Sequence, residues 1–307
     1  MAGLSEAEQA DRRQERLALG AALVTVVLWA SAFVGIRAAG EDLTGGALSL
    51  GRLVVASVVL GLIVLARSEK LPARRDLGLV LACGVLWFGV YNVALNEAER
   101  RVDAGTAAML VNVGPILIAL LAGWLLKEGF PRTLLRGMTV AFAGVVVIGL
   151  ATSQDGLTAS TGTLLCLVAA VTYAGGVVAQ KPLLSRSSAL AVTWAACTVG
   201  AVVCLPFTPT LIDEAGRADA GSIAWTVYLG VFPTAIAFTT WAYALARSTA
   251  GRMGSTTYLV PPLAILMGWA ILGETSPLLA LLGGVLCLAG AAMARRAPAR
   301  KAVAGKA

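Results

Sequence analysis

The side chains that could do chemistry in this sequence lie inside long apolar runs. Asn92, Asn96, Asn112 and Gln180 are amides in otherwise apolar surroundings, and Trp29, Ser31, Tyr91, Thr172, Tyr173, Trp241 and Tyr258 add hydroxyls and rings. A buried amide needs partners and lipid offers none, so these groups are expected to face protein or water. The chemistry they suit is recognition by hydrogen bonding, ring stacking and cation–π contact. Helix-to-helix hydrogen bonding for the amides, and an interfacial belt for the rings, is the plainer alternative for each taken singly. Other chemistry is poorly supplied. There is no histidine, which removes imidazole acid–base catalysis and His metal ligands. The cysteines Cys83, Cys166, Cys197, Cys204 and Cys287 lack C-x-x-C spacing and read as small buried hydrophobes. No G-x-x-x-x-G-K-S/T loop is present, so intrinsic ATP-driven work is not expected. Neither a metal nor a cofactor is implied.

A second group of residues could bend or gate. Pro115, Pro233, Pro261 and Pro262 lie within apolar runs, where a proline removes a backbone hydrogen bond and kinks or opens a helix. Freed carbonyls are tolerated at membrane depth only where protein or water meets them, so these prolines are hinge or cavity-wall candidates, with a packing kink as the alternative. Arg52 is a cation within or at the edge of a run, costly there unless paired or snorkelling. Two readings stand level: an outer gate paired with Glu41 or Asp42, or simple snorkelling. Glu128 and Glu274 fall at the ends of two runs, where a capping or boundary role is favoured over gating. No carboxylate lies clearly at mid-membrane, since Glu97 and Asp103 flank span ends; proton coupling therefore has little support.

The elements that must position these groups are membrane helices. Of 307 residues, 58% are hydrophobic and 13% charged, with mean hydropathy +0.82, against about a quarter charged in soluble domains. A helix needs about 20 residues to cross roughly 30 Å of hydrocarbon. Runs of that length occupy Leu17–Ala38, Ala47–Ala66, Leu77–Leu95, Ala104–Leu126 and Leu134–Thr152, then Thr161–Leu183, Ala189–Pro206, Ile223–Ala244, Thr249–Leu272 and Leu278–Met293. The expected fold class is all-α integral membrane, with ten transmembrane helices. The first run has no cleavage-site pattern and reads as a span rather than a signal peptide. Nineteen Lys and Arg fall in segments on the side of the N-terminus and four on the other, with Arg52 set aside. The positive-inside rule then places both termini in the cytoplasm. The net charge of +7 follows from this topology and does not point to nucleic acid.

The chain also repeats itself. At a shift of 146, Ala104-Gly105 falls on Ala250-Gly251, Pro115 on Pro261, Leu126-Lys127-Glu128 on Leu272-Gly273-Glu274, and Gly137 on Gly283. A weaker match at 144 joins Trp29-Ala30 to Tyr173-Ala174, so Trp29 and Tyr173 could hold a ligand from two sides. Five spans per copy is an odd number, so the second copy is expected upside down, a plan recurrent in secondary transporters. The predicted organisation is a tail over residues 1–16, a repeat over 17–152, an inverted repeat over 161–293 and a basic tail over 294–307.

Trp29-Ala30-Ser31-Ala32-Phe33, Gly51-Arg52-Leu53 and the two blocks Pro115-Ile116-Leu117 to Glu128 and Pro261-Pro262-Leu263 to Glu274 together resemble the drug/metabolite transporter superfamily, specifically its ten-helix EamA-type members. The resemblance spans about residues 18–294. It implies a substrate-translocating fold with a central cavity lined by both halves, commonly exporting amino acids, metabolites or drugs. The leading expectation is a secondary transporter in the plasma membrane, its partners a small-molecule substrate and the bilayer, with a homodimer left open. The alternatives are an intramembrane enzyme, for which catalytic candidates are thin, and a non-transporting scaffold or sensor.

Overall fold

The structure is a computed structural model that describes residues 6–127, 129–130, 132–152, 156–273 and 278–295. Glu128 and Glu274 lie outside the described residues. Among the described residues the fold is entirely helical: α1 (Glu6–Ala39), α2 (Gly45–Ala66), α3 (Arg74–Ala98), α4 (Ala104–Leu125), α5 (Arg132–Thr152), α6 (Gly156–Leu183), α7 (Ala189–Ala215), α8 (Ala220–Ala246), α9 (Ala250–Leu272) and α10 (Leu278–Arg295). Eight of these, α1–α4 and α6–α9, are long and apolar enough to cross a membrane; α5 and α10 are further apolar helices.

The starts of four spans follow from local sequence. The side chains of Asp103, Ser188, Asp219 and Thr249 each accept a hydrogen bond from a first-turn N–H of the helix that follows, satisfying donors a helix leaves open. The α7 helix runs nine residues beyond the expected end at Pro206. Pro206 and Pro209 each open a new helical segment, a first-turn position where the missing N–H costs nothing. The start of α2 is held by two carboxylates: Glu214 accepts from the Thr44 N–H at 2.8 Å and Glu97 from the Gly45 N–H at 2.9 Å, negative charge against the positive helix end. In the same loop, Asp42 accepts from the Asp219 N–H and the Ser222 hydroxyl. These bonds, the backbone one foremost, hold its carboxyl below the usual carboxylate range.

Packing is symmetric between the two matched sets of helices. The α1–α8, α2–α8 and α1–α9 contacts have counterparts in α6–α3, α7–α3 and α6–α4, while α2–α7, α4–α9 and α5–α10 pair helix with matching helix. A side chain at Gly290 of α10 would strike the backbone of Gly137 and Ala141 on α5, so these small residues let the pair approach closely.

Two irregularities recur in register. Gly84–Val90 in α3 and Gly230–Ile236 in α8 are π-helical, and both starts differ by 146, the shift of the sequence repeat. A Cβ on Gly84 would meet the Ala196 carbonyl at 2.8 Å and Val199; one on Gly230 would meet the Arg52 carbonyl at 2.8 Å and Val55. Only glycine permits either approach. The second irregularity breaks α4 and α9. The α-helix stops at Val111 and restarts at Gly114, with Pro115 in its first turn; in α9 a 3-10 turn over Thr257–Leu259 precedes Val260–Met267, with Pro261 and Pro262 at its start. The prolines therefore open new segments rather than kink continuous ones. Both helices end in left-handed backbone at matched positions, Lys127 (φ 54°) and Gly273 (φ 68°).

Candidate functional site

At the centre of the bundle, the π-turn of α8 creates the most consequential polar group. Pro233 has no N–H to offer the Leu229 carbonyl one α-turn back, and the Thr234 hydroxyl donates to that carbonyl at 2.7 Å. Its oxygen then accepts from Nε and Nη2 of Arg52 at 3.2 and 3.1 Å. Asn96 Oδ1 accepts from Nη1 at 3.4 Å, and Asn96 Nδ2 donates to the Ser49 hydroxyl at 2.8 Å. Arg52 is thus only 3% exposed and points into the bundle. Glu41 and Asp42 are not its hydrogen-bond partners among the described residues, and it does not snorkel. In α3, Asn92 Nδ2 donates to the carbonyls of Trp87 and Phe88 at 3.2 and 2.9 Å, serving the α3 π-turn.

Arg52 lines a central cavity together with Trp29, Phe33 and Ile36 of α1, Tyr91 and Leu95 of α3, Asn112 of α4, Tyr173 of α6, Phe238 of α8, and Thr257 and Val260 of α9. The space open to the centre of a water molecule is about 40 Å³, room for about three waters at about 10–15 Å³ each. One wall is aromatic. The Trp29 ring lies 4.9 Å from Trp241, 5.3 Å from Phe238, 6.0 Å from Trp87 and 6.2 Å from Tyr173, centroid to centroid. Trp29 and Tyr173 meet edge-on at 90°, so the two rings contact each other directly. Polar atoms of this region that are buried without a hydrogen-bond partner among the described residues include Trp29 Nε1, Trp241 Nε1 and Asn112 Oδ1; Asn112 Nδ2 is bonded to the Ala108 carbonyl at 2.6 Å.

Of the expected site residues, the structure brings Trp29, Arg52, Tyr91, Asn112 and Tyr173 to the cavity. Asn92, Asn96 and Pro233 support it from behind, and Trp241 backs the aromatic wall. Four lie elsewhere. Ser31 bonds the Tyr228 hydroxyl at 2.7 Å beside a separate groove between α1 and α8. Thr172 donates to the Val168 carbonyl of its own helix. Tyr258 packs with Ala119, Leu134, Met138 and Ala141. Gln180 is fully buried and has no hydrogen-bond partner for its side chain among the described residues. Residues not singled out from the sequence include Phe238, Thr257, Thr234 and Glu99. Glu99, fully buried just past α3, acts electrostatically on Arg52, and its backbone carbonyl accepts from Arg37 at 2.9 Å. It sits among Glu97, Arg100 and Arg101 and so resembles an ordinary loop charge.

A helical bundle with two matched halves and a cavity drawn from both defines a membrane transport protein. The EamA-like transporter family matches residues 16–150 and 160–296, and the chain belongs to it. It is similar to a probable terminal-alkyne amino-acid exporter of Streptantibioticus cattleyicolor, 38% identical over 91% of this chain and 93% of that one. An uncharacterized transporter of Bacillus subtilis is 33% identical over 86% of each chain. A probable amino-acid metabolite efflux pump of Salmonella typhimurium is 26% identical, covering 88% of this chain and 91% of its own. A solved crystal structure superposes with a TM-score of 0.71 over 90% of this chain and 96% of its own at 20% identity, a likeness of fold alone. The protein is accordingly a membrane transporter and not an enzyme; what it handles are a small-molecule substrate and the lipid bilayer around it.

Proposed function

We propose that this protein is a secondary transporter that exports a small organic solute, of the amino-acid, metabolite or drug-like kind, across the plasma membrane by alternating access. The observation that carries the reading is the cavity walled by both halves, with breaks at matched places in α4 and α9. In this reading α5 and α10 also cross, giving ten spans in two five-helix repeats of opposite orientation over 17–152 and 161–293. Both termini are cytoplasmic, as the loop charges favour. Rocking of the halves opens the cavity to each side in turn. The breaks at Pro115, Pro261 and Pro262 and the π-turn at Pro233 serve as hinges, with Trp29, Tyr91, Asn112 and Tyr173 contacting the solute. Relatives named for amino-acid export support the outward direction. A homodimer is not required, because one chain furnishes the whole cavity.

The test is flux. Purified protein in proteoliposomes should move at least one member of a broad metabolite panel, and Asn112→Leu should cut that flux about tenfold while folded yield falls less than twofold. Absence of flux across the panel would overturn the reading; equal loss of flux and yield would assign Asn112 to packing.

A further inference from the structure

Two cations hold matching helix ends. Arg37, in the last turn of α1, donates from Nη1 to the Glu99 carbonyl just past α3 at 2.9 Å. Lys181, in the last turn of α6, donates from Nζ to the Leu245 carbonyl near the end of α8 at 2.6 Å, and to the Ser248 carbonyl. Positions 37 and 181 differ by 144 and positions 99 and 245 by 146, the two offsets of the repeat, so one device occurs twice. The acceptors suit it. The last carbonyls of a helix lack their usual partners four residues on and carry the negative end of its dipole, which a cation complements.

The two bonds lie at opposite ends of the bundle. α1 runs antiparallel to α8, since Thr25 donates to the Ala237 carbonyl and Ser31 bonds the Tyr228 hydroxyl. Ala244 and Ser248 share a groove with Leu19, near the start of α1. The Lys181 bond is therefore level with that start, about 27 Å along α1 from Arg37 at about 1.5 Å per residue. The central cavity lies between, with Ile36 and Leu95 next to the Arg37 bond and Tyr173 and Phe238 towards the Lys181 bond. Each bond also joins helices that pack in different groups. α1 packs on α8 and α9, and α6 packs on α3 and α4; all six line the cavity. Arg37 carries a bond from the first group to the second, and Lys181 one from the second to the first.

We propose that Arg37 and Lys181 are the gate residues of the transporter: each latches one end of the central cavity, and release of one bond at a time sets the side to which the cavity opens. This rests on the transporter reading above and assigns the control of access to that same site. In the orientation proposed there, Arg37 latches the outer end and Lys181 the inner. The latches differ in one respect. Glu99 carries a fully buried carboxylate that acts electrostatically on Arg52, and its counterpart is Leu245. The outer latch thus stands beside a carboxylate that the inner one lacks.

The experiment is sided labelling of the full-length protein in right-side-out and inside-out membrane vesicles. Val260→Cys in the cavity wall is the reporter and a membrane-impermeant maleimide the probe, with the reaction of the chain without the reporter subtracted. Arg37→Gln should raise the outside-to-inside ratio of labelling about 10- to 100-fold, the range a hydrogen bond to a charged group supplies. Lys181→Met should lower it by a similar factor, and the double variant should return to within about threefold of the parent, because distant sites add. Arg37→Lys, which keeps a cation beside Glu99, should restore most of the parent ratio. A packing role alone would lower folded yield without moving the ratio in opposite directions. Ratios unmoved in both single variants, or moved the same way, would overturn the latches and leave the transporter reading to its flux test. Opposite movement with the sides exchanged would support the latches and overturn the proposed orientation. If Arg37→Gln does not fold, Lys181→Met decides by itself. No flux across the broader panel, together with a reporter that neither side reaches in any variant, would overturn both.

Discussion

The corner of the bundle around Arg52 and its counterpart around Ala196 share a backbone and differ in chemistry. Gly230 brings α8 against the Arg52 and Val55 turn of α2 as Gly84 brings α3 against the Ala196 and Val199 turn of α7; 52 and 196, like 55 and 199, differ by 144. The positions that match Thr234 and Asn96 at a shift of 146 are Phe88 and Ala242. One corner is thus a guanidinium on a hydroxyl and an amide. The other is an alanine in an apolar cluster with Phe88, Phe238 and Trp241. The repeat supplies geometry twice, and the polar apparatus, drawn from both copies, was placed at one corner only. A substrate site in such a fold is asymmetric even where its scaffold is not.

The largest expected effect comes from forcing the two corners to match. Ala196→Arg buries a cation with no acceptor in place, a penalty of about 3–5 kcal/mol for an uncompensated buried charge. Monodisperse yield on detergent size-exclusion should collapse, and a well-folded variant would show that the apolar corner is more polar than described. A middle effect separates scaffold from chemistry. Gly84→Ala and Gly230→Ala each press a methyl onto a neighbouring carbonyl and should both lower stability by about 1–3 kcal/mol in thermal melts. Only Gly230→Ala displaces the backbone of Arg52, so only it should also reduce flux per folded molecule; equal loss in both would erase the functional difference between the corners. The smallest effect concerns the matched ends of α4 and α9. Lys127 holds left-handed backbone that Gly273 adopts freely, so Lys127→Gly should raise stability and Gly273→Ala lower it, each by about 1 kcal/mol. The reverse order would mean that Lys127 makes a compensating contact.

Hydropathy made the long apolar helices legible because lipid demands length and apolarity, and the proline match at 146 made the halves legible because a break is hard to place by chance. Arg52 stood out because a charge in such a run must be provided for. Its direction did not, because the acceptor is a threonine whose hydroxyl is oriented by its bond to the Leu229 carbonyl five residues earlier. The π-turns of α3 and α8 have no composition that marks them, although each begins at a glycine pressed against another helix. Phe238 passed as an ordinary apolar residue because facing lipid and facing a cavity look the same in a single sequence. Tyr258, conversely, drew notice for its hydroxyl and turned out to pack under α5. The extension of α7 was hidden by Pro206 and Pro209, which read as stops although each begins a segment.

The paired π-turns also carry a history. A π-turn amounts to one residue inserted into an α-helix, and an insertion shifts the facing of every residue after it by about 100° at 3.6 residues per turn. Both copies carry the insertion at the same offset, and a single event before the duplication accounts for both. The bend is then older than the divergence of the halves. Arg52 and Thr234 stand at only one of the two contacts, so the bend does not depend on them.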